Sequence, residues 1–319
     1  MSYLVNGCAG FLGFSLSKKL LDDGHLVFGI DSLISGNPKK IENLVNYQNF
    51  IFQKGDITDS DFVKALYFKP DAVINMATVA SPMLYQKIPI ETLLNCVVGT
   101  NNLLEFATRV GSRYIHISTS EIYGDPLVSP IPEDYVGNTN IHGPRACYAV
   151  GKQAAETLCV DFHRQYNTSI QIPRIFNAYG ATQSLGDKRV IPTLIKQALT
   201  GEPMTVSGDG EQIRSFMHID DLLSAVIKLI NLNNYLGPVN VGNPEPVSIS
   251  NLARKIQVIS RSKSRIRYTQ KPEDDPVTRI PDIGKITAAL NWKPNISLDD
   301  GLQKVISQYK HQLDQFMNY

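Results

Sequence analysis

The chain has 319 residues, 43% of them hydrophobic and 19% charged, with 31 Lys+Arg against 30 Asp+Glu for a formal net charge of +1. That balance excludes the basic footprint of a nucleic-acid binder, and the composition excludes disordered, collagenous and disulfide-scaffold classes. The length points to two units of a packed globular protein.

Cys8, Cys96, Cys147 and Cys159 contain no CxxC pair and lie far apart, which suits buried thiols in a reducing compartment. The six histidines form no HxxxH or HExxH pair, so no metal is expected. No stretch reaches the roughly 18 consecutive apolar residues of a membrane span. The first strand-like run begins at Tyr3, which leaves no room for a signal peptide. The expectation is a cytoplasmic protein with neither membrane nor nucleic acid as a partner.

In chain order, the apolar runs YLVN, HLVFGID, FIFQKGD, DAVINMA, RYIHIS and SIQIPRIF alternate with amphipathic helical patterns. Strand and helix in alternation predict a parallel sheet covered by helices. Nearly continuous apolar strands are those of a sheet buried on both faces. The fold class is therefore α/β, a doubly wound parallel sheet. Beyond Tyr179 the alternation fades into GATQSLGDKR, TGEPM and VSGDGEQ, which predicts a smaller C-terminal domain. The expected division is residues 1–178 and 179–319, with 215–243 returning to the main sheet.

At the first strand-to-helix junction, NGCAGFLG places Gly7, Gly10 and Gly13 where a tight turn lets backbone approach a pyrophosphate and helix pack closely on sheet. The helix start adds free N–H groups and the positive end of its dipole. Asp31 closes the second strand, where a carboxylate accepts bonds from a ribose 2′-OH and repels a 2′-phosphate. The implied cofactor is NAD rather than NADP. Asp56, after the third strand, is placed to reach the adenine edge. A turn-glycine cluster beside a strand-end Asp is the plain structural alternative.

Further on, Tyr148 and Lys152 form a YxxxK pair on one helix face. An ammonium near a phenol favours the phenolate and makes a general base for an alcohol. By itself such a pair is equally a partly solvated helix face.

The segments NGCAGFLG, NMATVASP, STSEIYGDP, GPRACYAVGK, PRIFNAYG, GEPMTVSGDGEQIRSFMHIDD, VNVGNPE and DDPVTRIPDI together resemble the extended short-chain dehydrogenase/reductases that act on nucleotide sugars. The likeness covers nearly the whole chain. Within that family, EIYGDP, GPRACY and DDPVTRIPD are most similar to the UDP-glucuronate decarboxylases. The resemblance implies a Rossmann domain followed by a smaller substrate domain. Tyr148 would be the base at the sugar C4 hydroxyl, with Lys152 its partner and a ligand of the nicotinamide ribose. Thr119 would bind the same C4 oxygen.

Phe11, Leu12, Ile57 and Ala77 complete the implied cofactor contacts. Ser81, Tyr85, Arg145, Asn177, Arg189, Arg214 and Arg279 join Glu121 around the nucleotide sugar, arginine forks matching phosphate and carboxylate. Any single arginine is more often a surface ion pair. The sugar 4,6-dehydratases that the chain resembles carry an Asp-Glu pair after the Thr, and the 4-epimerases usually lack the carboxylate. Here the order is Thr119-Ser120-Glu121, as in the decarboxylases. The expected reaction is oxidation at C4, loss of CO2 and return of the hydride; the alternatives are a 4-epimerase, a 4,6-dehydratase, and a catalytically inactive NAD-binding regulator.

Several positions depart from the decarboxylase pattern: Ala149 and Val150 after Tyr148, Thr78 and Val79, Ser207, and the segment GATQSLGDKR. They touch the sugar and base pockets and leave the redox residues intact. The helical stretches IPIETLLNCVVGTNNLLEFATRV and CYAVGKQAAETLCVDFHRQY are those that pair across a dimer in this family, so a homodimer is expected; their apolar stripes could equally pack on the sheet.

Overall fold

Each apolar run of the N-terminal half is a strand in the computed structural model of the protein, which describes residues 1–271 and 275–317. These strands are β1 (Ser2–Asn6), β2 (Leu26–Asp31), β3 (Phe50–Lys54), β4 (Ala72–Asn75), β5 (Arg113–His116), β6 (Ser118–Thr119) and β7 (Ile170–Ile175). All residues of β4 and β7 are buried, as continuous apolar strands require. The sheet runs in the order Pro238–Val241, β7, β5, β4, β1, β2, β3, with β6 also alongside β7. Pairings among β1 to β7 are parallel. The chain therefore starts mid-sheet, lays β2 and β3 on one side and β4, β5 and β7 on the other. The reversal falls between β1 and β4, and crevices of doubly wound sheets open at the carboxyl ends of strands at such a point.

Two compact units emerge. The first contains Met1–Ile122, Thr139–Ile175 and Leu223–Val239. Its core joins Leu4 of β1, Val73 of β4 and Ile172 of β7 to Leu103, Leu104 and Ala107 of the helix Thr100–Val110. These side chains are 0% exposed, so truncating one of the leucines to alanine costs about 2–5 kcal/mol.

The second unit contains Tyr123–Asn138, Phe176–Leu222 and Asn240–Tyr319. Its core gathers Leu194 and Ile195 of the helix Val190–Thr200, Leu252 and Ile256 of the helix Ile249–Ser260, and Leu302 and Tyr309 of the helix Leu298–Met317. Three small sheets flank it, including the parallel pair Met204–Ser207 and Ile266–Thr269. Relative to the expected division at residue 178 with 215–243 returning to the main sheet, Tyr123–Asn138 falls in the second unit, and the segment grouped with the first is Leu223–Val239.

Among the described residues, no helix is long and apolar enough to cross a membrane, and no group of three or more His, Cys, Asp or Glu could hold a metal ion. The four cysteines are free thiols.

Candidate dinucleotide and acid–base site

The turn between β1 and the helix Phe11–Asp22 admits only glycine at two places. Gly7 has φ +85°, and a Cβ there would stand 2.8 Å from the Ala77 backbone nitrogen. A Cβ on Gly13 would overlap the carbonyl oxygen of Gly7. The backbone of the helix thus lies directly on the turn, and Gly10 N–H closes it by donating to Gly7 O at 3.0 Å. Gly10 is the N-cap and offers no side chain to the helix. A helix start leaves its first-turn N–H groups beyond the reach of intrahelical carbonyls, which is what an anion there uses.

Beside this turn lies a concave cleft. Asn6, Gly7, Gly10, Asp31, Asp56, Ile57 and Ala77 line it, so the loop glycines and both carboxylates read from the sequence share one wall space. Phe11, Leu12 and Gly13 are not among its lining side chains. Asp31 is 8% exposed and accepts from Ala9 N–H at 2.9 Å and Leu33 N–H at 2.8 Å. Burial raises its pKa, while those two donors and the nearby Lys40 ammonium oppose the rise. Asp56 accepts from both the backbone N–H and the hydroxyl of Thr58.

Sequence reasoning missed Ser32, Ser35, Gly36, Glu91 and Asn95, which line the same cleft. Asn95 opens a π-helical turn, Asn95–Gly99, between the helices Pro89–Leu94 and Thr100–Val110. Its Oδ1 is buried with no hydrogen-bond partner among the described residues, and π turns recur at functional sites. A glycine cradle, a strand-end carboxylate and an unpartnered buried acceptor on a residue that lines the same cleft together fit NAD. The π turn has no composition signature. Gly36 had a usable one, since a Cβ there would meet the Asp31 carboxylate at 2.7 Å.

The acid–base residues lie at the ends of β6 and at the start of the helix Ala146–Tyr166. Tyr148 and Lys152 are buried one turn apart on that helix, 7% and 3% exposed. Burial raises the Tyr148 pKa and hydrogen bonding with Thr119 opposes it; the Glu121 charge adds to the rise. Lys152 Nζ donates to Ile117 O at 2.8 Å. Burial lowers its pKa. The Tyr85 ring stacks on Tyr148 with centroids 5.4 Å apart and planes 9° from parallel. Ser81 precedes the short helix that carries Tyr85. Thr119, Tyr148, Lys152 and Tyr85 are thereby one cluster.

Glu121 follows Thr119 on a 3-10 turn, its N–H donating to Thr119 Oγ1 at 3.2 Å. Arg145, the residue before the helix, grips it through Nη2 at 2.6 Å and Nε at 3.2 Å. Arg145 was expected to face the sugar; its guanidinium here binds a carboxylate of the protein.

Asn177, Arg189, Arg214 and Arg279 all belong to the second unit. Asn177 donates to Ser215 O at 2.9 Å. Arg189 forks onto Asp187, whose pKa it lowers. Arg214 pairs with Asp275 at 3.0 Å and donates to Pro276 O. Arg279 is 3% exposed and donates to Gly124 O. Each has protein partners within that unit.

The model of the NAD dependent epimerase/dehydratase family matches residues 3–242. The chain is 40% identical over 315 residues to UDP-glucuronic acid decarboxylase 1 of Danio rerio, covering 99% of this chain and 74% of the relative. It is 37% identical to UDP-glucuronic acid decarboxylase 3 of Arabidopsis thaliana, covering 98% and 90%. Among solved structures it superposes on UDP-glucose 4-epimerase of Thermotoga maritima with UDP-glucose, TM-score 0.90, 26% identity, 98% and 100% covered. It also superposes on UDP-glucuronic acid 4-epimerase of Bacillus cereus with UDP-4-deoxy-4-fluoro-glucuronic acid and NAD, TM-score 0.88, 29% identity, 98% and 100% covered.

Proposed function

The chain belongs to the NAD dependent epimerase/dehydratase family, and on that footing we propose that it decarboxylates UDP-glucuronate to UDP-xylose. The observation that carries this reading is the run Thr119-Ser120-Glu121 in a chain 40% and 37% identical over nearly its full length to two UDP-glucuronic acid decarboxylases. NAD, when bound, accepts and returns the hydride. Gly7, Gly10 and Gly13, with the N–H groups of Phe11 and Leu12, would hold its pyrophosphate. Asp31 would hold the adenosine ribose, Asp56 the adenine edge, and Ile57 and Ala77 the walls.

Tyr148 takes the proton of the C4 hydroxyl as C4 loses its hydride, and Thr119 orients that oxygen. The resulting C4 ketone lies β to the C6 carboxylate. The C5–C6 bond then breaks, CO2 leaves with C6, and its electron pair is held as the enolate. A proton delivered to C5 on the Glu121 side restores a ketone. Hydride returns to C4 while Tyr148 gives its proton back, so no net NADH forms. A dehydratase must instead protonate a departing C6 hydroxyl, and Ser120 stands where that acid would be.

The first unit is read as the NAD-binding part. The second is read as the nucleotide-sugar part, with Asn177, Arg189, Arg214 and Arg279 as its polar ligands; within the first, Ser81 and Tyr85 are also read as sugar-binding residues. The protein is also read as a homodimer. Ile90, Leu93 and Val98 are exposed apolar residues of Pro89–Leu94 and the π turn, a face that suits a partner. Four free thiols suit the cytoplasm.

The test is incubation with UDP-glucuronate and catalytic NAD, followed by mass spectrometry and proton NMR. The expected result is UDP-xylose and CO2 in equal amounts. A product of unchanged mass with inverted C4 makes the protein an epimerase, and a neutral hexose nucleotide losing one water makes it a dehydratase.

A further inference from the structure

Ser118, Glu156 and Arg174 form a buried polar triad that the reaction above does not use. Arg174 holds Glu156 with Nε at 3.0 and 3.2 Å and Nη2 at 2.7 Å, and Ser118 Oγ donates to Glu156 Oε1. All three are buried, at 9%, 7% and 2% exposure for Arg174, Glu156 and Ser118. Taking two charges out of water costs several kcal/mol per ion, and apolar residues of equal volume often replace such a pair without loss of stability. Stability alone is a poor reason for this triad to be here.

Its position supplies a better one. Ser118 is the residue before Thr119, and in the β6–β7 register it lies opposite Arg174. Glu156 lies one helical turn beyond Lys152 on the same face of Ala146–Tyr166. Lys152 Nζ bonds Ile117 O, and Glu156 bonds Ser118 Oγ. Two consecutive turns of the Tyr148 helix therefore grip the two consecutive residues that lead into Thr119.

We propose that Glu156 is a positioning residue of the reaction assigned above: through Ser118 it fixes Thr119 against Tyr148, and it supplies the anion that faces Lys152. This rests on the roles given to Tyr148, Lys152 and Thr119.

The groups whose charge reaches Lys152 are Glu156 and Cys159 on its own helix, Cys96 of the π turn and His116 of β5. Burial pushes the Cys96 and Cys159 thiols up and His116 down, so all three are neutral near pH 7. Glu156 is then the one full charge among these groups that favours the ammonium form of Lys152. Arg174, held by Glu156, would disfavour that form once Glu156 was neutralised.

The experiment follows the Lys152 titration by heteronuclear NMR, assigned with Lys152→Arg, alongside steady-state kinetics. Glu156→Gln should lower the Lys152 midpoint, the direction that loss of an anionic neighbour one helical turn away gives. Its kcat should fall more than about tenfold, as loss of a bond to a charged group allows, with KM little changed. Ser118→Ala removes one bond to that charged group, so it should lower kcat about tenfold or more and leave the midpoint where it was. If Glu156→Gln fails to fold, the paired change Glu156→Met with Arg174→Met removes both charges; the same loss of kcat at undiminished thermal stability is expected. An unmoved midpoint in Glu156→Gln, or full kcat in the folded double variant, overturns the proposal. Because the titration needs no sugar, an unreactive unmodified protein would count against the reaction and not against this inference.

Discussion

Tyr148 stands in the protein as a buried phenol whose pKa is raised by burial and drawn back by Thr119. To act as a base it must lose that proton, so turnover should climb with pH on the acid side of its optimum. Tyr148→Phe should fold and bind NAD yet lose about 10²- to 10⁴-fold in kcat, the usual contribution of a positioned acid–base group. Retention of more than a tenth of the activity would remove the residue from that role. The Glu121–Arg145 contact makes a separate prediction. Arg145→Met frees a carboxylate held by two charged bonds worth about 1.5–3 kcal/mol each. It should depress kcat about 10- to 100-fold and leave KM nearly unchanged; a rise in KM instead would put Arg145 on the sugar, as its sequence position alone suggests. The residues legible beforehand, Gly7, Asp31, Tyr148 and Lys152, are those whose spacing is itself the chemistry. Asn95 and Glu156 were not legible, because one depends on a π turn and the other on partners 18 and 38 positions away.

At the scale of elements, the glycine turn and the Phe11–Asp22 helix form one unit of packing. Gly13 meets the carbonyl of Gly7, which cannot move aside, whereas a Cβ on Gly10 would stand 3.1 Å from that same oxygen. Gly13→Ala should therefore cost more stability than Gly10→Ala, by about 1–3 kcal/mol for overpacking, and weaken NAD binding; denaturant midpoints and cofactor titration measure both. Strands were readable because burial on both faces leaves their residues uniformly apolar, as in Ala72–Asn75 and Ile170–Ile175. The short strands of the second unit, some of two residues, carry too few side chains for any period to show.

Across the whole molecule, burial raises the pKa of Tyr114, Tyr148, Tyr179 and Tyr309. A folded-state pKa above the unfolded value of about 10 means that the folded chain keeps these protons longer. That stability is complete below about pH 10 and is lost as pH rises beyond it. Denaturant midpoints should fall steeply above that pH, and tyrosinate absorbance from these four rings should appear together with unfolding. The homodimer reading predicts that Ile90→Glu, with Val98→Glu as a second charge, halves the mass seen by light scattering without disturbing the helical circular dichroism.

The return of 215–243 toward the main sheet was expected from the sequence, but the excursion of Tyr123–Asn138 into the second unit was not legible, since no linker marks Ile122 or Asn138. The division into units governs how the protein comes into being. The second unit needs Tyr179, Leu194 and Leu252 to meet Leu302, Val305 and Tyr309, and the last three lie in the final helix, Leu298–Met317. During synthesis, the second-unit segments from Phe176 onward cannot close that core until the helix Leu298–Met317 has emerged. Their apolar faces are available to chaperones until then.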